Sequence, residues 1–150
     1  MEPLVRAATF ADIPACCALL GTLFNQEKEF AADAQKQADG ILMVIENPEK
    51  GMIFVCEIDD RVRGMVMLLF TVSTFLGKKV AILEDMIVSP DCRRKGIGAL
   101  LLDTAIEYAR SNGFGRITLL TDHDNKPAQL FYASKGFVKS EMMVYRKLIR

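Results

Sequence analysis

The feature that most constrains this chain is an apolar strand, Lys79 to Val88, that runs through a short basic, glycine-containing loop into a strongly patterned helix. From Gly96 to Asn112 the apolar residues Ile97, Leu101, Leu102, Ala105, Ile106 and Ala109 recur at helical spacing, while Asp103, Thr104, Glu107 and Arg110 occupy the opposite side. A stripe of that kind is stable only when packed on another layer, and the strand before it supplies a sheet. Asn112-Gly113 then gives the helix a stop, because glycine accepts the left-handed conformation that a helix end often adopts.

The remaining elements follow from local patterns. Val5-Arg6-Ala7 reads as a first strand, and Thr9-Phe10-Ala11-Asp12 as a capping box with Asp in place of Glu, opening a helix through the Cys16 to Leu23 region. Residues 26 to 40 are polar and alanine-rich, and a second helix ends near Glu46, before Asn47-Pro48. Met52 to Ile58 and Val62 to Val72 are β-prone runs separated by Asp59-Asp60-Arg61, the pattern of a hairpin. After the patterned helix come a short strand over Arg116 to Thr121, a short helix over Lys126 to Lys135 and a final strand over Glu141 to Leu148. The expected fold is α/β (α+β): a mixed, mostly antiparallel sheet of six to seven strands with helices on both faces, in one domain spanning 1–150.

Composition excludes several classes of function. Lys and Arg total 19 and Asp and Glu total 19, so the chain lacks the positive field that nucleic acid or an anionic membrane would require. No apolar stretch approaches the length of a membrane span. The apolar run Ala15 to Phe24 has the length of a signal-peptide core, but Asp12 stands where a basic flank belongs. Cys16, Cys17, Cys56 and Cys92 lack C-x-x-C spacing and read as reduced thiols of a cytoplasmic protein. With one histidine, His123, no His/Cys metal site is expected.

The chemistry is concentrated in the loop Val88-Ser89-Pro90-Asp91-Cys92-Arg93-Arg94-Lys95-Gly96-Ile97-Gly98-Ala99. A helix N-terminus presents unpaired N–H groups and partial positive charge, and glycines let the backbone approach an anion closely. Three cations at that end oppose the helix dipole unless an anion answers them. The two common nucleotide-binding loops fit poorly: no Gly-Lys-Ser/Thr follows for a P-loop, and Leu101 fills the place of the third small residue of a dinucleotide fingerprint.

Arg93-Arg94-Lys95-Gly96-Ile97-Gly98 is similar to the Arg/Gln-x-x-Gly-x-Gly/Ala signature of the GNAT acetyltransferase superfamily, and Val88-x-Pro90 matches the approach to it. Asn125-Lys126-Pro127-Ala128-Gln129-Leu130-Phe131-Tyr132-Ala133-Ser134-Lys135-Gly136-Phe137 resembles the second block, Asn-x-x-Ala-x-x-Phe-Tyr-x-x-x-Gly-Phe. The resemblance is close over residues 80 to 140 and rests on element order alone over the first 70. It implies that Arg93, Arg94, Lys95, Gly96, Ile97, Gly98 and Ala99 hold the pyrophosphate of acetyl-CoA, that Met86, Ile87 and Val88 line the pantetheine arm, and that Asn125 belongs to the same binding set. It implies transfer of acetyl to a primary amine of a small molecule or protein by direct attack, without metal, and a homodimer of the kind such proteins often form.

Amide formation from a thioester needs a deprotonated amine and gains from a proton donor to the leaving thiolate. Tyr132 stands where the family tyrosine gives that proton, although from the residues alone it reads equally as a core aromatic beside Phe131. Glu84 and Asp85 interrupt an apolar strand, Glu84 sharing parity with Met86 and Val88 and Asp85 with Leu83 and Ile87. A carboxylate in such surroundings faces a cavity or a partner, and burial would raise its pKa toward that of a general base. The resemblance favours Glu84 as the base acting through water, with Asp85 orienting neighbours; two purely structural carboxylates are the alternative. His123 reads as a solvated loop residue. Cys92, beside the basic loop, is a thiol whose pKa could be lowered there, without a catalytic role. A catalytically silent acyl-CoA-binding sensor and a protein using the same loop for another phosphate ligand are the competing functions.

Overall fold

The computed structural model of the protein describes residues 2–26 and 33–150, without the side chains of residues 23–26. The chain forms two compact units, Met1–Leu119 and Leu120–Arg150. Part of the polar stretch 26 to 40 lies outside the described residues.

The first unit is a five-stranded sheet in sequence order: β1 (Leu4–Ala7), β2 (Gly51–Ile58), β3 (Arg61–Ser73), β4 (Lys78–Val88) and β5 (Ile117–Leu119). The first three pairings are antiparallel and β4 with β5 is parallel. Asp59 and Asp60 carry φ of 52° and 62°, the left-handed pair that a two-residue hairpin needs to follow the twist of its strands, and Ile58 and Arg61 close it.

Helices α1 (Ile13–Gln26) and α2 (Ala34–Glu46) cover one face. Cys16, Leu19, Leu20 and Ile41 pack there against Ile53, Val55, Met65, Met67 and Ile87. Helix α3 (Ile97–Ser111) covers the other face through Ile97, Leu101, Leu102, Ala105 and Ala109, and full burial of a leucine such as Leu101 contributes about 1.5–3 kcal/mol. Its end is closed by Gly113 at φ 75°, where the Phe114 N–H donates to the Ala109 carbonyl at 2.9 Å, and Phe114 packs edge-on against Phe70 at 4.8 Å.

The capping box expected at Thr9 is present in its reciprocal half: the Thr9 N–H donates to Asp12 Oδ2 at 2.7 Å. Asp12 is buried and receives both Arg6 Nη groups, at 2.8 and 3.0 Å, while Arg6 Nη2 also reaches Glu57 Oε2 at 3.1 Å. The Arg6 guanidinium holds the Asp12 carboxyl below the usual carboxylate range, and Asp12 in turn raises the Arg6 pKa. This cluster ties β1, the 3-10 turn Phe10–Asp12 that leads into α1, and β2 together. Helix α2 is capped by Asp33, whose Oδ1 accepts from the Gln35 and Lys36 N–H groups at 3.1 and 3.2 Å.

The second unit contains α4 (Lys126–Ser134). Asn125 Oδ1 accepts from the Ala128 N–H at 3.2 Å, and Gly136 at φ 91° lets the Phe137 N–H turn back to the Tyr132 carbonyl at 3.1 Å. The strand expected over Glu141 to Leu148 is not formed: among the described residues, 138–150 contain neither helix nor strand. Its composition is β-prone, but a strand exists only through a paired edge, and propensity does not supply the partner. The sheet therefore has five strands rather than six to seven, and β5 is three residues long rather than the run Arg116 to Thr121.

Candidate active site

The middle of β4 is broken by a bulge. Met65 pairs with Ile87 and Met67 with Glu84, so the single residue Val66 lies opposite both Asp85 and Met86. Asp85 takes φ 53°, a conformation that L residues other than Asn and Asp seldom adopt. The extra residue corrects the parity read from the sequence. Glu84 shares a face with Met67, and Ile87 shares that same face with Met65, three residues on rather than two. Ile87 is therefore buried against α1 and α2, while Val88 lies opposite Gly64 on the α3 side.

The ladder between β4 and β5 consists of Ala81 with Ile117, Ile82 with Thr118 and Leu83 with Leu119, and among the described residues no rung follows. The sheet thus divides immediately before the bulge, so that Met86, Ile87 and Val88 have a β3 neighbour on one side and no β5 neighbour on the other. Glu84 stands at the point of division and is exposed, rather than buried as its place in an apolar strand suggested. Asp85 is half-buried.

Beyond β4, the Ser89 N–H donates to the Arg63 carbonyl at 2.7 Å, and Pro90–Cys92 forms a 3-10 turn. Arg63 Nη1 lies 3.4 Å from Asp91 Oδ2, and Arg93 Nε donates back to the Val88 carbonyl at 3.2 Å. These contacts hold the loop against the ends of β3 and β4. Arg94 at φ 66° and Gly96 at φ 79° are both left-handed, turning the chain into α3. Gly96 is the N-cap, so no side chain caps the helix, and its first turn contains no acidic residue. The N–H groups of Ile97, Gly98 and Ala99 are thus left as donors beside the exposed Arg93, Arg94 and Lys95. An anion such as a pyrophosphate suits that end; a carboxylate cap, the usual alternative, is absent from it.

Gly64 contributes to this site through a signal the sequence contained, an isolated glycine within a strand. A Cβ there would stand 2.9 Å from Leu101 Cδ1 and 3.4 Å from Ile97 Cγ2, so the missing side chain is what lets α3 lie close on β3. The Asp85 bulge had no comparable signal.

Tyr132 and Asn125 belong to the second unit. The Tyr132 ring packs against Phe131 and Phe137 with centroids at 5.3 and 5.7 Å, and burial pushes its phenol pKa upward, which keeps the proton on the oxygen. His123 is exposed in the loop before α4, as expected, and its carbonyl accepts from Gln129 Nε2 at 3.0 Å. Cys92 is buried rather than open at the basic loop, and all four cysteines are free thiols. Burial pushes the Cys16 thiol up to about 12. Among the described residues no group of His, Cys, Asp or Glu could hold a metal ion, and no helix is long and apolar enough to cross a membrane. A shallow pocket of about 470 Å³, lined by Phe54, Asp103, Thr104, Glu107 and Tyr108 among others, contains none of the expected site residues.

The chain is similar to known proteins in sequence and in fold. The chain is 34% identical over 144 residues to the Bacillus subtilis (strain 168) protein "Uncharacterized N-acetyltransferase YhfO", covering 94% of this chain and 93% of that one. It is 43% identical over 58 residues to streptothricin acetyltransferase A of the same organism, covering 39% of this chain and 34% of that one. In fold it resembles a possible acetyltransferase from Clostridium difficile 630 with a TM-score of 0.89 at 17% identity, covering 100% and 99% of the two chains. The family model for the acetyltransferase (GNAT) family matches residues 15–137, a span that includes the bulged strand, the basic loop and the Tyr132 helix, and the chain belongs to that family.

Proposed function

We propose that the protein is an acetyl-CoA-dependent N-acetyltransferase that moves acetyl to a primary amine by direct attack, with residues 1–150 acting as one catalytic domain in the cytoplasm. The observation that carries this reading is the start of α3: an uncapped helix end with a left-handed glycine, three adjacent cations and no acidic residue in its first turn. The N–H groups of Ile97, Gly98 and Ala99, with Arg93, Arg94 and Lys95, hold the pyrophosphate. The edge of β4 over Met86, Ile87 and Val88, free of β5, takes the amide-bearing pantetheine arm as an added strand would be taken, and Asn125 completes the binding set.

Each proton then has an assigned place. The acceptor nitrogen loses its proton to water held by Glu84, whose exposed position at the division of the sheet lets water reach it. The nitrogen lone pair forms the C–N bond as the C–S bond breaks, and Tyr132 gives its phenolic proton to the departing sulfur. A raised phenol pKa keeps that proton available at neutral pH.

Thermal shift tests the reading. Acetyl-CoA at a hundredfold excess over its dissociation constant should stabilise the protein by about 2.7 kcal/mol, with no comparable effect from ATP or NAD. Gly98→Glu places a carboxylate against the expected pyrophosphate and should abolish the shift in a folded protein. A parent protein whose melting temperature ignores acetyl-CoA would overturn the assignment. Thiol release across a panel of amines then identifies the acceptor.

A further inference from the structure

The loop between β4 and α3 sets one acidic residue, Asp91, against the cations Arg93, Arg94 and Lys95. Of all the carboxylates in the chain, Asp91 is the nearest in sequence to Gly96, the N-cap of α3. A carboxylate at a helix N-terminus is stabilised by the unpaired N–H groups and the partial positive charge there. Asp91 is therefore a built-in competitor for the place an anionic ligand would take. It is engaged elsewhere instead. The Ser89 hydroxyl donates to Asp91 Oδ1 at 2.5 Å, and Arg63 Nη1 lies 3.4 Å from Oδ2, so each carboxylate oxygen has a partner outside α3. The Ser89 hydroxyl, with the Arg63 guanidinium adding to it, holds the Asp91 carboxyl below the usual carboxylate range and so keeps it charged.

Arg63 is placed for this contact by a second irregularity in the sheet. Cys56 pairs with Gly64 and Glu57 with Val62, so Arg63 is an extra residue of β3 with no β2 partner among the described residues. An extra residue of this kind re-aims a side chain that strict alternation would fix to one face. The Arg63 carbonyl also accepts the Ser89 N–H at 2.7 Å, which sets the two holders of Asp91 side by side. With side chains 30% and 62% exposed, the Arg63–Asp91 pair adds little to stability, so its consequence lies in where it keeps the Asp91 charge.

We propose that Arg63 is a positioning residue for the coenzyme: with Ser89 it holds Asp91 away from the start of α3, so that the N–H groups of Ile97, Gly98 and Ala99 stay open to an anionic ligand. The inference rests on the reading of that helix start as a pyrophosphate cradle, and Arg63 acts through Asp91 rather than by touching the ligand. Without Arg63, the Asp91 carboxylate turns to the neighbouring cations or caps α3, and a ligand has to displace it. A charge at a helix end is worth an amount that corresponds to a loss of affinity of about two- to fivefold.

The experiment is a double-mutant cycle on the full chain, read by amide NMR titration at low salt with acetyl-CoA and, separately, inorganic pyrophosphate. Arg63→Met should raise the dissociation constant of both probes about two- to fivefold, and Ser89→Ala should raise it to a smaller extent. Combined with Asp91→Asn, which removes the competing charge, neither substitution should change affinity. Arg63→Lys, which keeps a cation beside Asp91, should bind as the parent does. Equal losses with and without Asp91→Asn would show Arg63 acting on the ligand or on the fold, and would overturn the proposal, as would unchanged affinity in both single variants. A parent that binds pyrophosphate but not acetyl-CoA overturns the acetyl-transfer reading, while the pyrophosphate cycle still decides the role of Arg63. A parent that binds neither overturns both.

Discussion

Adding one methyl group at Gly64 should loosen the whole α3 side of the sheet. Gly64 sits in β3 between Cys56 and Val88, and a Cβ placed on it meets Leu101 Cδ1 at 2.9 Å, the Ile87 carbonyl oxygen at 3.2 Å and Ile97 Cγ2 at 3.4 Å. Leu101 is fully buried and cannot swing into solvent, and the Ile87 oxygen is backbone beside the β4 bulge, so the strain passes into α3. Overpacking of this kind costs about 1–3 kcal/mol, offset by the roughly 0.5–1 kcal/mol gained when a strand glycine becomes alanine. A net loss of about 1–2 kcal/mol corresponds to a fall of about 2–8 °C in melting temperature for a chain of this size. Because Ile97 is the first residue of the helix, its displacement should also reduce the acetyl-CoA thermal shift. Leu101→Ala opens space at the same spot, so the double variant should be more stable than the sum of the two single losses by about 0.5–3 kcal/mol. A Gly64→Ala protein as stable as the parent, or losses that simply add, would refute the close-approach argument.

Three further outcomes are expected. Asp12→Asn should cost about 1–3 kcal/mol by leaving Arg6 with one carboxylate partner. Because the folded Asp12 pKa is lowered, its contribution is complete above the unfolded value of about 3.9 and is lost as pH falls through the folded one, so the variant should show a flatter loss of stability below about pH 4 in acid titration. Tyr132→Phe should lower kcat by about 10²–10⁴-fold while keeping the acetyl-CoA thermal shift; full turnover under conditions where chemistry limits the rate would remove the proton-donor role. Glu84→Gln should slow turnover at neutral pH and recover part of it as pH rises and the acceptor amine deprotonates unaided, with Asp85→Asn lacking that recovery; the reverse pattern would exchange the two roles.

The elements that the sequence predicted well are those whose signals are local. The helical stripe of α3, the Asn112-Gly113 stop, the Asp59-Asp60 turn and the Thr9–Asp12 box each depend on residues within one or two turns of one another. The family motifs were equally legible, because a cradle for an anion needs glycine and unpaired N–H groups at fixed spacing. What escaped was decided by other strands. The run Glu141 to Leu148 has strand composition but forms no strand among the described residues. The bulge at Asp85 arises from two residues of β4 meeting one of β3, a count that no single-strand pattern contains, and the parity of everything after it was misread for that reason.

That bulge also accounts for a carboxylate in the middle of an apolar strand. In an unbroken sheet, Glu84 would sit at an interior position facing α1 and α2 beside Met67 and Met65, where a charge without a partner is costly. Here β5 has paired for the last time at Leu83, one residue earlier, and the extra residue of the bulge follows at once, so Glu84 is the point where the sheet stops being an interior and becomes a rim. Its exposure is a product of the same geometry that frees the β4 edge over Met86, Ile87 and Val88. A variant that removed the bulge by deleting Asp85 would restore strict alternation with Met86 opposite Val66, Ile87 still opposite Met65 and Val88 still opposite Gly64, so the faces are kept and only the bend that the extra residue puts into the strand is lost. It should therefore lose acetyl-CoA binding through the straightened edge while Ile87 keeps its core contacts and most of the stability remains, whereas Asp85→Gly, which keeps the left-handed turn without a Cβ, should retain both. Equal losses in the two variants would show that the Asp85 side chain, not the extra residue, maintains the site.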